Sequence, residues 1–181
     1  MSSHKRRSFA LKFVDRYGLW TEAQARAAAA IDKAIAQKKL ELVRFSFPDQ
    51  HGVLRGKTLM ASEASQALRS GVTMTSTLFA KDTAHRTVFP VFEQGAGIGV
   101  PEMGGAGNFV MVADPQTFRT LPWADKTGWV LCDCYFANGK KIKIKDVVFD
   151  KSIEGKGPDD LFSFDYLSYW RKNYKKQISY H

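Results

Sequence analysis

The sequence predicts an α+β fold, and three patterns carry that expectation. An alanine-rich stretch opens on a helix-start signal at Thr21, a hairpin pattern is centred on Pro48 to Gly52, and two strand-like runs cover 109–113 and 129–135. The chain of 181 residues suits one ordinary domain with an appendage.

The first ordered element expected is a helix from Thr21 to about Lys38. Thr21 is an N-cap candidate with Gln24 three residues on, and Ala23, Ala25, Ala27 to Ala30, Ala34 and Ala36 favour helix strongly. Ile31 and Ile35 give it a narrow apolar stripe. Leu42 to Phe47 then reads as a strand, with Val43, Phe45 and Phe47 on the face opposite Leu42. Pro48-Asp49-Gln50-His51-Gly52 is turn chemistry, and Val53 to Leu59 returns as the partner strand. Ser62 is expected to cap a short helix through Ala64, Ala67 and Leu68, which Gly71 ends. Met74 to Phe79 is rich in Ser and Thr, and six glycines fall within 95–107. The strands Phe109 to Ala113 and Trp129 to Tyr135 complete a helix, two strands, a helix, a loop and two strands. That order predicts a mixed sheet with a helix laid across one face, as in β-grasp folds. A lysine-rich C-terminal tail without clear pattern follows.

Composition is globular, with 44% hydrophobic and 25% charged residues. No apolar run approaches the roughly 18 residues of a membrane-spanning helix, and no secretory leader pattern follows Lys5, Arg6 and Arg7, so no membrane association is expected. Two cysteines, Cys132 and Cys134, cannot frame a disulfide scaffold, and a reducing, cytoplasmic location is the expectation. The net charge is +9, but the body, 13–139, holds 13 basic and 12 acidic side chains. The excess lies at the termini, a pattern of solvated ends more than of a phosphate-binding groove. Nucleic-acid binding through those ends is therefore disfavoured.

The tail differs from the body. Residues 1–139 contain 19 alanines, whereas 140–181 contain none, with nine lysines and one arginine. Ala and Arg codons are GC-rich and Lys codons AT-rich, so a frameshift, rearrangement or fusion is one origin and a native lysine-rich extension the other. The aromatic cluster Leu161, Phe162, Phe164, Tyr166, Leu167, Tyr169 and Trp170 reads as a stacking platform or as an aggregation liability.

Several chemical readings are weighed and set aside. The glycine cluster lacks the Gly-Lys-Ser/Thr of a phosphate loop, and Gly107 leads through Asn108 into a strand instead of a helix. Cys132 and Cys134 share a strand face, but no second pair completes a zinc site, and His4, His51, His85 and His181 are scattered. Ser76, Asp82 and His85 lie in one segment without a nucleophile-elbow sequence. The segment Asp114-Pro115-Gln116-Thr117-Phe118-Arg119-Thr120-Leu121-Pro122-Trp123 is a rigid connector, with Phe118, Leu121 and Trp123 expected as apolar anchors.

From about Leu42 to Gly139 the chain resembles the N-terminal β-grasp domain of the glutamine synthetase family. Three blocks carry the likeness: Val43 to Gly52 with Arg55-Gly56-Lys57, Gly71 to Phe79, and Asp114 to Arg119 with Leu121-Pro122-Trp123 leading into Val130-Leu131-Cys132-Asp133. The resemblance implies ATP-dependent ligation of glutamate to ammonia or another amine, with magnesium or manganese as metal. It also implies a ring-shaped homo-oligomer in which this domain closes a neighbouring subunit's active site. The family's ammonia-using members place an aspartate before two serines there. Here Ser76 and Thr77 match the serine positions, no aspartate precedes them, and Asp82 follows a few residues on. A larger amine is thereby favoured over ammonium, whose lost hydration a carboxylate would offset. The family's metal ligands lie in a C-terminal barrel with no counterpart in this sequence, so the chain reads as interrupted before its catalytic domain and inactive alone. No catalytic, cofactor or metal residue is assigned within it. The expected division is a helical extension (1–40), the β-grasp domain (41–139) and the divergent tail (140–181). A non-catalytic interaction module that associates with a full-length synthetase is the alternative.

Overall fold

A computed structural model describes residues 11–37, 39–82, 84–87, 91–93, 100–105 and 107–143. The amino-terminal basic cluster, His4, the glycines at 95, 97 and 99, the tail aromatics and His181 lie outside the described residues. The described elements are helices α1 (Phe13–Tyr17), α2 (Glu22–Ala36) and α3 (Ala61–Ser70) and strands β1 (Leu42–Pro48), β2 (Leu54–Met60), β3 (Val72–Thr75), β4 (Asn108–Ala113), β5 (Arg119–Thr120) and β6 (Thr127–Phe136).

The sheet is mixed, as expected, in the order β2-β1-β6-β4-β3, with β5 beside β6. The hairpin register sets Leu42 against Met60 and Phe47 against Arg55. β6 then inserts parallel to β1, Phe45 opposite Val130, and antiparallel to β4, Met111 opposite Cys134. That register puts Val43, Phe45, Phe47, Val130, Cys132, Cys134, Phe109 and Met111 on one face, where Ile31, Ala64, Leu68 and Phe79 close the core. The rings of Phe47, Phe79 and Phe109 meet one another with centroids 4.8 to 5.8 Å apart. Lys57 Nζ of the edge strand β2 donates to Thr73 O of the opposite edge strand β3 at 2.7 Å. The sheet is thus curled enough for one side chain to join its two edges.

α2 begins at the expected residue with a full capping box. Thr21 Oγ1 accepts from Gln24 N (3.3 Å), and Gln24 Oε1 accepts from Thr21 N (2.9 Å). Asp32 accepts from Ser65 Oγ at 2.6 Å and pairs with Arg69 at 2.9 Å, which ties α2 to α3.

Four local expectations need correction. α1 precedes Thr21 and packs Val14 against Val112 and Tyr135 on the other sheet face. α3 starts at Ala61, and its N-cap, Met60, makes no side-chain cap, so Ser62 lies inside the first turn. The Ser/Thr-rich segment resolves into β3 and a 3₁₀ turn, Ser76–Ala80. In the connector, Leu121 is buried and Phe118 packs on the core, but Trp123 is 71% exposed and anchors nothing there.

Candidate functional site

The 3₁₀ turn after β3 places Ser76, Thr77 and, two residues beyond its end, Asp82 along one stretch. Ser76 is buried, and both its N–H and its Oγ donate to Gly107 O, at 2.8 and 3.0 Å. Its hydroxyl therefore clips the stretch to the strand entering at Asn108. Thr77 is half-buried; Thr75 Oγ1 accepts from its N–H (3.4 Å) and lies 3.0 Å from its hydroxyl. Asp82 organises the next turn: Oδ1 accepts from Arg86 N (2.8 Å) and Oδ2 from Arg86 Nε (3.0 Å). The Arg86 backbone N–H, with the guanidinium, holds the Asp82 carboxyl below the usual carboxylate range.

The stretch is fastened to the β1–β2 turn. Asp49 is 1% exposed, although a carboxylate, because both its oxygens accept hydrogen bonds, three in all. Oδ1 accepts from His51 N and Val53 N, each at 2.9 Å, and Oδ2 from Arg55 Nε at 2.8 Å. The next residue, Gln50, reaches outward from the turn. Its Nε2 donates to Phe79 O (3.2 Å) and to Lys81 O (2.9 Å), and His51 Nε2 donates to Lys81 O (3.0 Å). Arg55 Nη1 meets His85 Nε2, and Lys81 Nζ donates to His85 O at 3.2 Å.

These contacts decide the readings weighed from sequence. Ser76, Asp82 and His85 do not form a triad, since each is engaged with a different partner: Gly107, Arg86 and Arg55. Cys132 and Cys134 are both buried in the core. Burial, then the neighbouring Cys132, pushes the Cys134 thiol well above its usual range. In the connector, Asp114 accepts from Gln116 N (3.2 Å) to start a 3₁₀ turn and also accepts from Gln24 Nε2 of α2 (3.0 Å). Thr117 Oγ1 accepts from Leu131 N (2.9 Å), so the connector locks to β6. Among the described residues no three or more His, Cys, Asp or Glu side chains are gathered where they could hold a metal ion.

Sequence reasoning missed Gln50, Arg55 and His85 as members of this cluster. The turn residues were legible, but their partners lie about thirty positions away, where no spacing rule reaches.

No family model matches the chain. Curated proteins do match it. It is 40% identical over 133 residues to γ-glutamylanilide synthase of an Acinetobacter species, which is 72% of this chain and 27% of that protein. Human lengsin is 30% identical over 112 residues, 62% of this chain and 21% of lengsin. Glutamate–isopropylamine ligase of a Pseudomonas species is 28% identical over 111 residues, 61% of this chain and 23% of that ligase. A solved GmaS/ADP complex is similar over 61% of this chain and 21% of that one, at 21% identity and a TM-score of 0.43. The chain is a homologue of the glutamine synthetase-type γ-glutamyl ligases. It spans between a fifth and a third of the length of these curated relatives (27%, 21% and 23%).

Proposed function

We propose that these residues form the N-terminal β-grasp portion of an ATP-dependent glutamate–amine ligase, and that the stretch carrying Ser76, Thr77 and Asp82 closes the active site of a neighbouring subunit in a homo-oligomeric ring. The observation that carries this reading is the 40% identity with γ-glutamylanilide synthase over 133 residues. The amine we infer is larger than ammonia. Thr73, Met74 and Thr75 stand before Ser76, so no carboxylate precedes it, and both Asp82 oxygens are already taken by Arg86. A bare ammonium needs a free carboxylate to replace its hydration, whereas an alkyl- or arylamine brings apolar surface of its own. The names of two relatives, an anilide synthase and an isopropylamine ligase, accord with that choice. The same reading divides the chain into a helical extension (1–40), a β-grasp domain (41–139) and a tail (140–181).

ATP and magnesium or manganese are then held by other parts of the ligase, and these 181 residues alone do not turn over. Purified chain is expected to release no ADP above background with glutamate, magnesium, ATP and a panel of amines. Clear amine-dependent ADP release would overturn this assignment of roles.

A second reading has one observation in its favour. β2 is an edge strand among the described residues and leaves Leu54 and Met60 exposed, as an interaction module that docks on a full-length synthetase would. Co-migration of the two proteins in size-exclusion chromatography supports it, and separate elution removes it.

A further inference from the structure

We propose that Gln50, His51 and Arg55 are positioning residues: from the β1–β2 turn and the start of β2 they hold the stretch that carries Thr77 and Asp82 in its place. The inference deepens the ligase reading and rests on it for its functional meaning, but the clamp itself is a property of this chain.

Two clamps define the stretch. At its start Ser76 is tied to Gly107 O through both N–H and hydroxyl. At its end the hairpin turn takes over. The two Nε2 protons of Gln50 match two carbonyls, those of Phe79 and Lys81, which flank the exit of the 3₁₀ turn. That match fixes the amide's orientation, because turned over it would face two carbonyl oxygens with a third oxygen. Among the described residues Gln50 Oε1 is buried with no hydrogen-bond partner, so the orientation is kept even though it leaves an acceptor unmatched there. His51 Nε2 adds a second donor to Lys81 O, and Arg55 reaches His85. The turn can bear this role because Asp49, buried beneath it, binds His51 N, Val53 N and Arg55 Nε at once. Asp49 fixes the turn, and the turn fixes the stretch. Between the two clamps stand Thr77 and Leu78, whose backbone is thereby held at both ends.

Hydrogen exchange of the full 181-residue chain tests this. The amides of Asp82, His85 and Arg86 are hydrogen-bonded within the clamped stretch and report on it. Gln50→Ala and the isosteric Gln50→Glu are both expected to lower their protection about tenfold at neutral pH, while amides of β1, β4 and β6 keep theirs. As pH falls through the pKa of the introduced carboxyl, which burial against two carbonyl oxygens raises above the ordinary value of about 4.3, Gln50→Glu regains protection, because a protonated carboxyl again donates one hydrogen bond, whereas Gln50→Ala does not. Protection is compared with the parent chain at the same pH. Wild-type protection in Gln50→Ala, which keeps no donor at all, would show that the two hydrogen bonds to Phe79 O and Lys81 O do not hold the stretch and overturn the proposal. A uniform loss across β1, β4 and β6 would overturn it too. Should the Gln50 variants fail to fold, Arg55→Lys keeps the charge beside Asp49 but forfeits the reach to His85. Local loss at His85 and Arg86 is then expected, and unchanged exchange there contradicts the clamp. A failed clamp leaves the ligase reading untouched, and absence of ligase activity leaves the exchange result untouched.

Discussion

Asp49 concentrates the stability of the hairpin end in one side chain. Its three accepted hydrogen bonds, one from a guanidinium, justify a carboxylate in a position 1% exposed. Asp49→Ala strands two backbone donors and leaves Arg55 without its acceptor, and a loss of about 3 kcal/mol is expected in urea unfolding. A loss under about 1 kcal/mol would mean that water replaces the carboxylate, and the turn is not the anchor described. Cys134 gives a second prediction, with its sign fixed by burial. Its folded-state pKa is raised chiefly by desolvation, so the neutral thiol is the native form. The associated stability is fully present below the ordinary thiol pKa of about 8.5 and is lost as pH rises from there through the raised folded value. A thiol reagent should therefore label Cys132 and Cys134 only as fast as the chain opens, at neutral pH and up to about 8.5. Rapid stoichiometric labelling of the folded chain would contradict the burial of both.

At the scale of elements, the α2 cap is the clearest case of a local signal with a tertiary consequence. Thr21 and Gln24 close a capping box, and Gln24 also donates to Asp114, so the helix start is joined to the connector before β5. Thr21→Ala should cost about 1 kcal/mol, read by urea unfolding followed by circular dichroism. A neutral result would show that packing of Ile31 alone sets the helix. Helix α2 and the hairpin were legible from a cap, an alternation and turn residues, and β4 and β6 from short apolar runs of strand length. α1 was not, since five residues show less than two turns of any period, and its worth comes from Val14 packing on Val112 and Tyr135. β3 was hidden by composition. Val72 and Met74 alternate with Thr73 and Thr75, a strand pattern that Ser/Thr richness disguised as loop. The expected cap at Ser62 failed because α3 follows β2 directly, with no residue between them to form a turn.

For the whole molecule, a mixed sheet and the buried face of β1 were legible, because Val43, Phe45 and Phe47 alternate with polar residues, whereas the strand order was not, since β6 inserts between β1 and β4 through pairings remote in sequence. The candidate stretch was legible only in part. Its residue types were visible, but not that Ser76 turns inward, nor that the hairpin turn grips Phe79, Lys81 and His85, since both depend on contacts across about thirty residues. The ligase reading assigns catalysis to a part of the enzyme outside these 181 residues, and it assigns Thr77 and Asp82 to the neighbour's active site. The most direct test joins residues 1–139 to the catalytic portion of γ-glutamylanilide synthase and follows ADP release with glutamate, magnesium and amines. The chimera should form rings and release ADP with an alkyl- or arylamine in preference to ammonia, and Thr77→Ala with Asp82→Ala should lower kcat while ring assembly persists. An assembled chimera whose ADP release ignores both the amine and these two residues would contradict the account.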